Sequence, residues 1–144
     1  MELVLLMSKP DLGTPVITLE HGTRWACYSI VQVKGKANAI TLDKCKRTSV
    51  VFDSLVSTIE VINCDTVKIQ TLGVVPTIAI DKTDGCQVYL SQQALNAEIV
   101  TSKSSEINIM VPTSNGEFKE YALPEQYKTV FTGDKFDTSA LNLL

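Results

Sequence analysis

The residues of this chain most able to bind a metal or act as a nucleophile are four cysteines and a single histidine, His21. The cysteines lack the close paired spacing of a zinc site, and one histidine cannot complete the ligand set. A cysteine nucleophile would have only His21 as its imidazole partner. We therefore predict no metal, no cofactor and no catalytic residue, and we interpret the thiols as reduced core residues of a cytoplasmic protein. The cysteines are Cys27, Cys45, Cys64 and Cys86.

Paired carboxylates offer a second route to catalysis. Asp43 and Asp81 are 38 residues apart, as are Glu60 and Glu98, which is twice the repeat described below. Two stacked turns would separate each pair by about 9.6 Å, near the upper limit for an inverting glycosidase. No histidine, arginine or aromatic platform accompanies either pair. A solvated surface explains these positions better, and the sequence does not favour an enzyme.

Charge and hydropathy exclude two further classes of function. The chain has 144 residues, the size of one domain, with 13 basic and 16 acidic side chains and a net charge of -3. A nucleic-acid-binding protein would need a basic stripe to neutralise phosphates. No segment approaches the roughly 20 apolar residues that span a membrane. We predict neither a nucleic-acid nor a membrane partner.

A 19-residue repeat organises the middle of the chain. One column of β-branched residues recurs at this step, and a second column follows it two residues later. Two more columns lie in the second half of each repeat, and a column of small or apolar residues separates the halves. The columns are Val31, Val50, Ile69, Val88 and Ile107; Val33, Phe52, Thr71, Leu90 and Ile109; Ala37, Val56, Val75 and Ala94; Ile40, Ile59, Ile78 and Ala97; Leu42, Val61, Ile80 and Ile99.

Within each repeat the apolar spacing is two residues, which is the period of a β-strand. Each repeat therefore predicts two short strands, with turns such as the one near Gly35 between them. The pattern predicts an all-β fold, a parallel β-helix of about five to six short turns, over residues 25–111. A β-sandwich is the alternative, but it should show hairpin turns within the repeats, and none is present. Cys45 and Cys64 should stack in one ladder, aligned with Thr83 and Ser102. Trp25 should cap the N-terminal end of the core.

A hairpin is predicted beyond the last repeat. Asn115-Gly116 is a strong turn signal, and alternating strand-like segments flank it. A stack of parallel turns has an open edge that promotes aggregation unless it is covered. The hairpin could cover the edge of its own chain or pair with a second copy, and the spacing leaves both open. We divide the chain into a lead-in (1–24), the turns (25–111) and the hairpin with its tail (112–144).

Seven segments of the chain carry a family resemblance. They are Lys34–Ile40, Asp43–Lys46, Val51–Asp53, Pro76–Cys86, Tyr89–Ser91, Ser102–Glu106 and Pro124–Thr129. These segments resemble the C-terminal domain of cyclase-associated proteins, in the same order as in that family, and the resemblance spans the chain from about Pro15 to Thr129. It implies a right-handed parallel β-helix that dimerises by exchanging C-terminal hairpin strands.

The resemblance also implies a function. Domains of this family bind ADP-actin monomers and promote exchange of ADP for ATP, in the cytoplasm and in association with the cytoskeleton. Five basic residues between Lys34 and Arg47 are offset only by Asp43, so a local positive ridge could steer the protein toward acidic actin. The candidate actin-binding residues are Asn38, Asp43, Lys46, Lys68, Gln70, Lys82, Asp84, Lys103 and Glu106. The candidate dimerisation residues are Phe118, Tyr121, Leu123 and Tyr127.

A related class of β-helix gives the alternative function. Tubulin-cofactor-C-type domains activate GTPases with an arginine finger that follows a glutamine by two places, and such a finger accelerates hydrolysis roughly a thousandfold or more. In this chain Gln70 is followed by Thr71 and Leu72. The only arginines are Arg24 and Arg47, so the residue required by this mechanism is absent.

Overall fold

The computed structural model describes residues 2–6, 16–20 and 30–141. His21, Arg24, Trp25 and Cys27 lie outside the described residues, and so does the predicted capping role of Trp25. In the described part of the chain no helix is long and apolar enough to cross a membrane.

The described strands form three sheets. The first wall is a seven-stranded sheet in the order β1-β3-β5-β7-β9-β11-β12, and the second wall is a five-stranded sheet in the order β2-β4-β6-β8-β10. A separate hairpin pairs β13 with β14. The bounds are β1 Glu2–Leu6, β2 Val16–Glu20, β3 Ile30–Ala37, β4 Ala39–Asp43, β5 Lys46–Leu55, β6 Thr58–Ile62, β7 Asp65–Thr71, β8 Thr77–Asp81, β9 Asp84–Tyr89, β10 Glu98–Ser102, β11 Ser105–Pro112, β12 Phe118–Ala122, β13 Tyr127–Phe131 and β14 Phe136–Ala140.

The two walls wind into a parallel solenoid, which confirms the predicted fold class. Val31 pairs with Val50, Val50 with Ile69 and Ile69 with Val88, so the 19-residue register holds across these rungs. Side chains alternate between core and surface because β-strand residues point to opposite faces of a sheet. Four complete turns run through residues 30–102. The strands β1 and β2 also join the walls, so the solenoid begins within the segment 1–24 that the sequence analysis treated as a lead-in.

The last turn is two residues longer than predicted. Val88 pairs with Ile109 and not with Ile107, and Ile78 pairs with Ile99 and not with Ala97. The extra residues lie between β9 and β10, where Gln92–Ala94 forms a single 3₁₀ turn. Because the shift is even, the inward and outward faces of β10 and β11 stay as predicted.

A second correction concerns the column between the walls. Ala37 pairs with Leu55, because the register shifts between Val33 and Lys36, around Gly35 at φ 91°. Leu55 is therefore buried, whereas Val56, predicted in this column, is 48% exposed. Glycine suits this bulge because it adopts positive φ without a Cβ penalty.

The two kinds of connection form two edges of the solenoid. We call the edge that joins each first-wall strand to the next second-wall strand the first corner. The opposite edge, which leads back to the first wall, is the second corner. In the first corner Gly73 lies so close to the preceding turn that a Cβ there would be 2.0 Å from Oγ of Ser54 and 2.6 Å from the Asp53 carbonyl oxygen. The corner segments therefore stack in direct backbone contact.

The predicted C-terminal hairpin is present. β11 and β12 pair antiparallel, and the Gly116 N–H donates to the Thr113 carbonyl at 3.1 Å. A second hairpin, β13–β14, turns at Gly133 with φ 107°. Every strand residue of β13 and β14 is exposed. The second hairpin was not predicted from the sequence.

Candidate functional site

The second corner brings together six of the nine candidate actin-binding residues. It consists of four stacked segments, 43–47, 62–66, 81–85 and 102–106, which connect the second wall back to the first. Lys46, Asp65, Asp84 and Ser105 form one column across these rungs. The six candidates in this corner are Asp43, Lys46, Lys82, Asp84, Lys103 and Glu106.

Each segment of the second corner has two residues in the left-handed region, three places apart. The first of each pair is Lys44, Asn63, Lys82 or Lys103, with φ from 49° to 56°. The second is Arg47, Thr66, Gly85 or Glu106. Asparagine and glycine suit this conformation, whereas Thr66 and the long charged residues adopt it at a cost in free energy. The repeated geometry gives every rung the same corner.

Side-chain hydroxyl groups of a buried threonine and a partly buried serine link successive segments of the corner. Thr83 Oγ1 donates to the Asp81 carbonyl at 3.1 Å and accepts from the Cys64 N–H at 3.4 Å. Ser104 Oγ repeats this arrangement one rung on, donating to the Ser102 carbonyl at 2.9 Å and accepting from the Thr83 N–H at 3.1 Å. Ser104, and not the predicted Ser102, therefore continues the column. These bonds make the corner a rigid base for its charged side chains.

Cys45 and Cys64 occupy the same internal column, as predicted. Cys64 Sγ donates to the Ile62 carbonyl at 3.2 Å, and Cys45 Sγ contacts the Leu19 carbonyl at 3.5 Å. The pKa of Cys45 is raised by its hydrogen bond with Cys64 and by burial. Both thiols are at most 4% exposed. They pack the core of the corner and are not placed to attack a substrate.

Cys86 provides a pH-dependent test of the core. Burial, followed by the charge of Cys64, raises its pKa from 9.0 to about 12. Between these two values the unfolded chain loses the proton and the folded chain keeps it. Stability should therefore fall as pH rises above 9, by up to about 1.4 kcal/mol per pH unit. We expect a shallower slope in urea unfolding of Cys86→Ala than of the wild type, since Cys45, whose pKa is also raised, contributes to the fall in both proteins. Parallel pH profiles of the two proteins would contradict the prediction.

The charged side chains of the second corner form no ion pair with other described residues. Within residues 30–141 there is one ion pair, between Nζ of Lys135 and Oδ1 of Asp137 at 3.5 Å, and it lies in the second hairpin. Oδ1 of Asp43 is buried and receives no hydrogen bond in the described part of the chain. The corner therefore presents exposed lysines that an incoming protein could pair with, whereas Oδ1 of Asp84 already accepts from Ser105 Oγ at 2.7 Å.

Three candidates lie elsewhere. Lys68 and Gln70 are on the outer face of the first wall, where they line a shallow groove of ≈ 180 Å³ with Val51 and Tyr89. Gln70 pairs with Tyr89 in the column that continues to Met110. Asn38 lies in the first corner, where its carbonyl accepts from the Ser57 N–H. The structure does not bring Asn38 together with the second-corner residues.

The first of the two carboxylate pairs is stacked as the repeat predicts, and the second is not. Asp43 and Asp81 occupy the same column two rungs apart, with Ile62 between them. Glu60 pairs with Ala79, which pairs in turn with Val100. Glu98 pairs with Thr77 instead, so Glu60 and Glu98 do not share a column. Among the described residues no group of three metal-ligating side chains converges.

Comparison with known proteins assigns the chain to a family. The family model described as "Adenylate cyclase associated (CAP) C terminal" matches residues 25–143. This chain belongs to that family. The adenylyl cyclase-associated protein of Dictyostelium discoideum is 57% identical over 133 residues, which cover 87% of this chain and 29% of the relative. Human adenylyl cyclase-associated protein 1 is 50% identical over 113 residues, covering 78% of this chain and 24% of the relative.

A solved structure agrees with the family assignment. The crystal structure of cyclase-associated protein from Cryptosporidium parvum superposes with a TM-score of 0.83 at 28% identity, covering 97% of this chain and 83% of the other. The chain thus corresponds to about a quarter of the length of its Dictyostelium and human relatives. The resemblance noted from the sequence segments is confirmed.

Proposed function

We propose that this cyclase-associated-protein domain binds actin monomers, prefers the ADP form and promotes exchange of ADP for ATP. The second corner is the observation that carries the proposal. It holds six candidate residues on a rigid base, with charges that are not paired within the described chain. Its five basic and five acidic residues offer both signs of charge for specific pairing with a partner surface. Family membership supports the same function, and we propose that it is exercised in the cytoplasm on the actin cytoskeleton.

We further propose that the domain acts as a homodimer formed by exchange of C-terminal strands. The second hairpin supports this, because its apolar side chains remain exposed among the described residues: Tyr127 is 58% exposed and Phe136 is 69% exposed. Of the other candidates, Tyr121 is also exposed, Phe118 packs edge-on against Tyr89 at 5.2 Å, and Leu123 contacts the core. The exchange should therefore centre on β13–β14.

The GTPase-activating alternative has less support. Leu72 stands where the arginine finger would follow Gln70, and it is 52% exposed and uncharged. Arg47 lies in the second corner, away from Gln70 on the first wall. An arginine must reach the transferred phosphate to stabilise its charge. The arginine of the first wall in the described residues is Arg47, at the second-corner end of β5 and four residues before Val51, the partner of Gln70. We propose a binding role and not catalysis by this domain.

Charge reversal at the second corner tests the actin proposal. We expect the wild type to accelerate release of a fluorescent ADP analogue from actin monomers at physiological salt. The double variant Lys46→Glu, Lys82→Glu should need about tenfold more protein for the same rate, which corresponds to about 1.4 kcal/mol of binding free energy. The matched control, Lys119→Glu with Lys128→Glu, changes net charge equally outside this corner. Its dimerisation is checked by light scattering.

The result distinguishes binding at the second corner from an effect of the protein's net charge. Equal loss in the two double variants would show that net charge governs the effect and would contradict a second-corner site. No acceleration by the wild type would contradict the exchange function. A pull-down with ADP-actin would then show whether binding remains.

A further inference from the structure

The first corner exposes large aliphatic side chains on three successive connections. Val56 lies on the connection between β5 and β6, Leu72 and Val74 between β7 and β8, and Leu95 between β9 and β10. They are 48%, 52%, 46% and 47% exposed, respectively. Exposed apolar side chains in a contiguous patch mark interaction surfaces, whereas isolated ones do not.

These connections form one continuous ridge. The Leu55 N–H donates to the Val74 carbonyl at 2.8 Å, joining the first connection to the second. Ser91 Oγ donates to the Gly73 carbonyl at 2.6 Å, and the Glu98 N–H donates to the Pro76 carbonyl at 2.9 Å, joining the second to the third. Rungs of a parallel sheet stack about 4.8 Å apart, so the ridge runs along the solenoid axis for roughly 10 Å.

The ridge has no charged residue of its own. Residues 54–59, 69–80 and 85–97 contain no Asp, Glu, Lys or Arg. The second corner is the opposite, since a charged residue occurs in each of its segments. A partner that fits the ridge must therefore bring an apolar surface to its centre.

The second wall beside the ridge is acidic only. The strands β2, β4, β6, β8 and β10 contain five acidic residues and no lysine or arginine. Glu60 and Glu98 are nearest to the ridge, on strands that begin at the first corner. On the other flank the nearest carboxylate of the middle rungs, Asp53, already accepts the Gly35 N–H at 2.7 Å. The free negative charge thus lies on one side of the ridge.

We propose that the first corner docks an amphipathic helix of another protein, with basic residues on the flank that faces the second wall. A helix laid along the solenoid axis repeats every 5.4 Å, close to the 4.8 Å rung spacing. Its apolar residues at i, i+3, i+4 and i+7 would then meet Val56, Leu72, Val74 and Leu95 in succession. Basic residues on one flank would pair with Glu60 and Glu98. This surface lies opposite the second corner, so the proposal does not rest on the actin function.

Other occupants fit the ridge less well. An anionic membrane would be repelled by the acidic second wall. A second copy of this chain would pair the ridges about a twofold axis and set acidic walls near one another. The nearest lysine, Lys34, lies on the opposite flank, where it lines a cavity with Asp53 and Leu72. Charge complementarity therefore selects a basic amphipathic helix.

A designed peptide tests the proposal directly. The probe is a fluorescein-labelled helix of about 14 residues with leucines at the spacing above and lysines on one flank. Its counterpart has glutamate at each lysine position. We expect the lysine peptide to bind the full chain in fluorescence anisotropy and to shift amide resonances of residues 54–60, 72–76 and 92–98 in NMR spectra. The glutamate peptide should bind at least about tenfold more weakly.

Matched variants locate the contact. Leu72→Ser with Leu95→Ser removes the ridge and should weaken lysine-peptide binding at least about tenfold, whereas Ile30→Ser, an exposed apolar residue of the first wall, should not. Glu60→Lys with Glu98→Lys should weaken binding, and Asp65→Lys with Asp84→Lys at the second corner should not. Circular dichroism confirms the fold of each variant.

Four outcomes would overturn the proposal. They are no binding of the lysine peptide, equal binding of both peptides, resonance shifts outside the first corner, and equal effects of the ridge and control variants. A change in oligomeric state on replacing Leu72 and Leu95 would assign the ridge to a second copy of the chain and would also overturn it.

Discussion

Ile78→Ala is expected to lower the free energy of unfolding by about 2–5 kcal/mol, the range for truncating a buried isoleucine where a cavity remains. Ile78 is 0% exposed and lies in the middle of a ladder, between Ile59 and Ile99. Stacked rungs on both sides restrict relaxation into the cavity. Because each turn of a solenoid is stabilised chiefly by its neighbours, the loss should weaken the interfaces on both sides of β8.

Ile62→Ala is the matched control for this prediction. Ile62 belongs to the adjacent strand β6, but it faces outward and is only partly buried. Removing the same atoms there should cost clearly less, since no cavity forms. Urea unfolding followed by circular dichroism at pH 7 measures both variants. Equal losses of stability would mean that Ile78 does not occupy a packed ladder.

The inward columns could be predicted because a period of two residues fixes which face of a strand is buried. Their partners were harder to assign. The 19-residue step correctly pairs Val50 with Ile69, yet it pairs Val88 with Ile107 when the structure pairs Val88 with Ile109. A slip of two residues keeps every side chain on the same face, so the apolar pattern cannot reveal it. Only the length of the β9–β10 connection reveals this slip.

The candidate site was predictable in its chemistry and less so in its arrangement. The charged residues of the second corner follow from the repeat, but its paired left-handed positions do not, because residues such as Lys82 and Glu106 rarely adopt positive φ. Asn38 was grouped with the others by resemblance alone, and it lies on the opposite edge. The bulge at Gly35 moved Val56 from the predicted core to the first corner, where it becomes part of an exposed ridge.

The second hairpin is an element that the repeat pattern does not predict. Its alternating pattern from Tyr127 to Phe131 and the turn at Gly133 resemble the signals of the first hairpin. The segment contributes nothing to the repeat, however, and an isolated two-stranded hairpin is marginally stable in water. Phe131 and Phe136 contact each other at 5.1 Å between ring centroids, and both remain more than half exposed. Such a hairpin requires a partner surface to persist.

Deleting β13 and β14, residues 126–144, is therefore expected to convert the proposed dimer to a monomer. The solenoid should survive, since its core cluster ends at Ile109 and contains no residue of the second hairpin. The full chain should have twice the monomer mass by light scattering at micromolar concentration, and the truncated chain the monomer mass. Circular dichroism and urea unfolding check that the truncated solenoid is folded.

A point variant tests whether lost contacts of the hairpin, and not the shortening of the chain, abolish dimerisation. Phe136→Asp places a charge on the most exposed aromatic of the hairpin, at 69% exposure, and should also give monomers. Lys135→Ala, one residue earlier, removes a surface ion pair of little energetic value and should leave the dimer intact. A truncated chain that still dimerises would contradict strand exchange through β13–β14. A monomeric full-length chain would contradict the homodimer itself. The apolar face of the hairpin would then be left uncovered in the described chain.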